Sequence, residues 1–125
     1  MLKKLVSRFG YTIKGVTYAI KHDKSFRGQF YFGGIILFII LVSFFPLSST
    51  EILFAVLAWT LVLITELQNS AFEAALDHLH PEIHDKIGKS KDMAAGAVLI
   101  AGFFALLVML VILHQHLLPI LVEWF

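Results

Sequence analysis

The sequence predicts an all-α integral membrane protein: an N-terminal amphipathic helix lying in the membrane interface, then three transmembrane helices. Three observations lead there. Hydrophobic residues make up 58% of the 125 and charged residues 15%, well outside ordinary soluble composition. The apolar residues gather into three runs, each close to the ~20 residues that span a bilayer. All ten Lys and Arg fall in two segments, seven within residues 1–29 and three between 86 and 91. The length suits one domain, and the absence of cysteine excludes disulfides and thiolate metal sites.

Each element has its own signal. In residues 2–22, Leu5, Phe9, Ile13, Val16 and Ile20 recur at helical spacing opposite Lys and Arg, the pattern of a basic helix lying on a membrane. Residues 1–29 as a whole read as this surface helix and a cytoplasmic segment. They are too long and too broken for a signal peptide, and no small-residue cleavage site follows. Phe30 to Leu47 carries no charge, which sets the first span at 30–48. Pro46 and the Ser48-Ser49-Thr50 cluster end it, and Thr50-Glu51 reads as an N-cap with an acid in the first turn. No Gly or Pro interrupts residues 51–79, so the second helix is predicted to leave the bilayer and continue as a polar extension. Residues 80–91, with Pro81 and Gly88, read as a cytoplasmic loop. The third span covers 92–114, with Ala97, Ala101 and Ala105 as a small-residue seam. His114, His116 and Trp124 mark the far interface in the C-terminal end, 115–125. Three spans put the termini on opposite sides. The positive-inside rule then places the N-terminus and the 80–91 loop in the cytoplasm and the C-terminus outside.

The chemistry gathers where the second span ends. Glu66, Asn69, Glu73 and Asp77 stand at steps of three, four and four. At about 100° per residue their side chains fall within roughly 60° on one helix face. Three carboxylates on one stripe repel, and acids at the edge of hydrocarbon are costly and usually functional. A divalent cation with oxygen ligands is the common compensator. Asn69, one turn from two of the acids, can orient either of them or a substrate hydroxyl. Lys91-Asp92 is predicted to open the third helix. A cation there opposes the helix dipole, and a bound phosphate would reverse that. His78, His80 and His84 do not match a familiar zinc spacing, and the familiar nucleotide motifs are absent.

The run Glu66-Leu-Gln-Asn69-Ser70-Ala71-Phe-Glu73-Ala-Ala-Leu-Asp77 resembles the ExxN[ST]AxExxxD signature of the small bacterial lipid kinases, the prokaryotic diacylglycerol kinases and their undecaprenol kinase relatives. Lys91-Asp92-Met93-Ala94-Ala95-Gly96-Ala97-Val98 resembles the KDMxxxAV block of that family, and Gly10 to Gly15, Phe26-Arg27 and His84 also fit. The resemblance covers nearly the whole chain. It implies an inner-membrane homotrimer with composite sites, phosphorylating a lipid hydroxyl with ATP and Mg2+; no nucleic-acid partner is expected. Carried over, Glu66 is the general base, Asn69 and Ser70 position the substrate, and Glu73 and Asp23 are the metal ligands. Tyr11, Asp77, His84, Lys91 and Asp92 line the nucleotide region. Three positions depart from the family: Asp23 stands where Glu is usual, Gln29 where some members have Glu, and Ile13 where an aromatic is common. Diacylglycerol is the acceptor favoured here, with undecaprenol as the alternative. A small ion-conducting oligomer with Glu66 in its pore is a more remote reading, and it leaves Lys91-Asp92 without a role.

Overall fold

The computed structural model describes the backbone of residues 2–82 and 84–123 and the side chains of residues 7–82 and 84–119. Its described residues form four helices and no strand: α1 (Leu2–His22), α2 (Lys24–Ser43), α3 (Ser49–Leu79) and α4 (Asp85–Glu123). The last three are long and apolar enough to cross a membrane. Trp124 lies outside the described residues.

Asp23 alone separates α1 from α2. Its backbone is extended (φ −98°, ψ 118°), and its side chain accepts a hydrogen bond from the Phe26 N–H at 2.8 Å. Its own N–H donates to the Ala19 carbonyl at 2.8 Å. One residue thus closes α1 and caps α2, leaving few backbone groups orphaned at the corner. Phe26, 2% exposed, and Ala19, 6% exposed, pack inside it. The first span therefore begins at Lys24, earlier than 30, because the cap at Asp23 starts a helix that the polar residues up to Gln29 merely continue.

The cap of α3 is Ser48, where the sequence had suggested Thr50. The Ser48 hydroxyl accepts from the Glu51 N–H, and the Glu51 carboxylate accepts from the Ser48 N–H. Such a reciprocal capping box satisfies two orphan donors at once. The second Glu51 oxygen meets His116 Nε2 at 2.8 Å, tying the start of α3 to α4 at the far end.

A third difference is at the hairpin between α3 and α4. The predicted loop 80–91 is much shorter, because α4 begins at Asp85, with the Ile87 and Gly88 N–H groups both donating to the His84 carbonyl at 3.0 Å. Gly88 costs helix stability but does not break a helix. Lys91-Asp92 consequently sits inside α4, more than a turn beyond its start. At the other end α4 continues past 114 and through Pro119.

α3 is the central helix. It packs against α1, α2 and α4, while among the described residues α2 and α4 are not packed on each other. Its buried face is Ala55, Ala58, Val62 and Glu66, three small or medium side chains that let neighbouring backbones approach closely. The Trp59 indole lies flat against α2: a Cβ added at Gly33 would sit 2.7 Å from its ring, and one at Gly34 3.4 Å. The glycine pair is the seat of the indole. Of the alanine seam on α4, Ala101 is buried, Ala105 half-buried and Ala97 exposed. Steps of four advance slightly more than one helical turn, so the row drifts around the helix. The remaining apolar side chains of α2 and α4, such as Phe38, Ile39, Ile100 and Phe103, are exposed in a single chain, the outward face a bilayer covers.

Candidate active site

The packing stripe of α3 runs straight into the acidic stripe. Ala55, Ala58, Val62 and Glu66 follow one another at steps of three, four and four, and Asn69, Ser70 and Glu73 continue the same side. Glu66 is 6% exposed, and it is the one buried charged side chain among the described residues. Its burial follows from register: it occupies a position that the helix has turned inward.

Glu66 borders two spaces. One is a cleft of about 720 Å3 between α1, the α1–α2 corner and α3, lined by Asp23, Glu66, Asn69, Ser70 and Glu73. The structure therefore brings five of the sequence-predicted residues together, including the metal-ligand pair, from segments some fifty residues apart. The other space is an open groove between α2 and α4 with α3 as its floor, where Gln29, Glu66 and Asn69 meet Val98, Leu99 and Phe103. Glu66 and Asn69 share both walls, between a polar cleft and an apolar groove.

The Asn69 Oδ1 is buried and has no hydrogen-bond partner. An unpaired buried acceptor is costly, and in a native site it usually awaits a ligand. Asp23 is half-buried. Burial pushes its carboxyl up, but the Ser70 hydroxyl, the Phe26 and Ser25 N–H groups and the Arg27 guanidinium outweigh this and hold it below the usual aspartate range. It is therefore an ionised carboxylate facing the cleft at neutral pH.

This donor set suits Mg2+. Among the described residues no group of three His, Asp or Glu is gathered closely enough to enclose a metal ion. Mg2+ characteristically takes one or two carboxylates and completes its octahedron with phosphate oxygens and water, not with an all-protein cage. Asp23 and Glu73 on one cleft are such a pair.

The remaining candidates lie elsewhere. Asp77 pairs with Lys91 across the α3–α4 hairpin, Oδ1 to Nζ 2.7 Å. The dipole argument for Lys91 therefore fails, since the residue is not at a helix start and already has an anionic partner. His84 accepts the Lys86 N–H on its Nδ1 at 3.2 Å, beside His80 and Glu82. Asp92 is exposed on α4, and Tyr11 is 70% exposed on α1 with the Lys14 ammonium 5.8 Å from its ring centre. None of these five lines the cleft of its own chain. Conversely, Thr12, His22, Lys24 and Ser25 do line it without having been anticipated. Only their closeness in sequence to Asp23 could have suggested them, as for Gln29 on the groove.

Comparison with known proteins agrees with this geometry. Residues 10–113 match the model of the prokaryotic diacylglycerol kinase family. The chain is 28% identical over 113 residues to the diacylglycerol kinase of Escherichia coli K12, covering 90% of this chain and 91% of that one. It is 31% identical over 100 residues to that of Haemophilus influenzae, covering 80% and 83%. With the diacylglycerol kinase of Synechocystis sp. PCC 6803 it shares 33% over 105 residues, 83% of this chain and 59% of that one. The chain belongs to the prokaryotic diacylglycerol kinase family, a family of membrane lipid kinases.

Proposed function

We propose that this protein transfers the γ-phosphoryl group of ATP to the hydroxyl of diacylglycerol, giving phosphatidic acid, with Mg2+ as its cofactor. One observation carries the reading: a buried carboxylate, Glu66, lines both a polar cleft holding Asp23 and Glu73 and an apolar groove open to the membrane side. A lipid hydroxyl has to meet a nucleotide phosphate where hydrocarbon gives way to water, and Glu66 stands at that boundary. The names of the relatives support diacylglycerol as the acceptor.

Phosphoryl transfer asks a protein mainly for positioning and charge neutralisation. Glu66 accepts the proton of the acceptor hydroxyl as that oxygen attacks in line. The free Asn69 Oδ1 is placed to orient the hydroxyl or the metal's coordination shell. Asp23 and Glu73 hold Mg2+, which when bound offsets charge on the phosphates. Lys91, Asp92, Asp77, His84 and Tyr11 act on the nucleotide from outside the cleft of their own chain, which fits a homotrimer whose sites are shared between subunits.

The test is ATP turnover in detergent–lipid micelles with diacylglycerol and undecaprenol side by side. Faster turnover of diacylglycerol is expected. Preference for undecaprenol would move the acceptor to the alternative, and no turnover with either would remove the kinase reading.

The reading also requires the cleft to face cellular ATP in the bacterial inner membrane, with the N-terminus cytoplasmic and the C-terminus outside. A reporter active only outside the cytoplasm should work when fused after Phe125 and stay silent when inserted near Gly88. The reverse pattern would separate the site from its nucleotide.

A further inference from the structure

Asp23 is a departure that needs compensation. It stands where the family usually has Glu, and its side chain is one methylene shorter. A shorter ligand reaches less far across a cleft. The geometry points to Ser70 as the positioning residue that holds the Asp23 carboxylate toward Glu73, acting through Asp23 and not on the lipid. This inference rests on the reading of Asp23 as a metal ligand.

Three features carry it. The backbone of Asp23 is pinned at the one-residue corner, between the Ala19 carbonyl and the Phe26 N–H. That fixes where the side chain starts. The Ser70 hydroxyl, on the opposite wall of the cleft, hydrogen-bonds to the Asp23 carboxylate. A serine has a single O–H to donate. Once that proton is given to Asp23, Ser70 has no donor left for a substrate oxygen. Finally, Ser70 precedes Glu73 by three residues on the same helix and lines the same cleft. A bond from Ser70 therefore sets Asp23 at a defined distance from the second carboxylate. It also bolts the α1–α2 corner onto α3, so the two ligands are carried on elements that cannot drift apart independently. A carboxylate has lone pairs to spare beyond the bonds from Phe26 and Ser70, so being held does not prevent it from ligating.

Partners that orient a metal ligand without touching the metal typically contribute about 10–100-fold to affinity. Ser70→Ala should therefore weaken Mn2+ binding by about tenfold. Binding is read by the electron paramagnetic resonance signal of free Mn2+, using the full chain in lipid–detergent micelles with a non-hydrolysable ATP analogue. Ser70→Thr keeps the hydroxyl and should bind close to the parent, so a folding defect in the alanine variant would not leave the idea unexamined. Asp23→Asn should weaken Mn2+ binding on its own, and adding Ser70→Ala to it should change nothing more. If Asp23→Asn weakens binding and Ser70→Ala does not, the positioning role is overturned while the metal site stands. An additional loss in the double variant would mean that Ser70 acts independently of Asp23, and would overturn the inference likewise. If Asp23→Asn leaves Mn2+ binding unchanged, Asp23 is not a ligand and both readings fall.

Discussion

Replacing Glu66 by Gln is expected to lower the rate of phosphoryl transfer by about 10²–10⁴, the usual worth of a general base, while leaving nucleotide binding largely intact. Gln has the same shape, so the stripe of α3 that packs through Ala58 and Val62 keeps its fit. What is lost is the ability to take a proton at a point shared by cleft and groove. No other carboxylate has that position: Asp23 and Glu73 line the cleft but not the groove, and Asp77 is bound to Lys91. Asn69 borders both spaces but is no base. The measurement is kcat at saturating lipid, together with the affinity for an ATP analogue and a melting curve to show that the fold is kept. A variant that retained more than half of the parent kcat would take Glu66 out of this role. A variant that lost nucleotide binding as well would point to an electrostatic part in the cleft instead.

The spans and the central stripe were legible in the sequence for the same reason: period. Residues 51–79 contain no helix breaker, so a step pattern of three, four and four had to put Glu66, Asn69 and Glu73 on one face, and α3 does run unbroken from Ser49 to Leu79. Ends were harder to read. Ser48, Ser49 and Thr50 are all capping residues by type, and the decisive clue was Glu51 three places after Ser48, the S-x-x-E spacing of a capping box. Gly88 read as punctuation, although a glycine inside a helix only costs stability. That misplaced the start of α4, and with it the environment of Lys91. Contacts between elements were not legible. Nothing in the order of residues shows that Asp23 comes to Ser70, or that Asp77 comes to Lys91 fourteen positions on. Each depends on how tightly a corner or hairpin closes, which the caps at Asp23 and the turn at His84 determine.

Glu73→Gln should show itself in the metal and not in the chemistry. The concentration of Mg2+ for half-maximal activity is expected to rise by on the order of tenfold or more, since losing even an outer partner of a ligand costs about that much. Glu73 is half-buried and lines the cleft with Asp23. A Mg2+ site of this kind has one or two protein carboxylates to lose, so removing one leaves Asp23 alone with the phosphates. Gln retains a carbonyl oxygen of the right reach but no charge, and a neutral oxygen binds a hard cation less tightly than a carboxylate does. The two variants therefore separate by rescue. Raising Mg2+ should restore much of the Glu73→Gln rate, because the metal is driven back by mass action. It should do little for Glu66→Gln, whose missing proton acceptor no metal concentration supplies. An unchanged Mg2+ titration in Glu73→Gln would exclude it as a ligand. If excess Mg2+ rescued both variants equally, the division between base and metal ligand would be wrong, and Glu66 would belong with the metal.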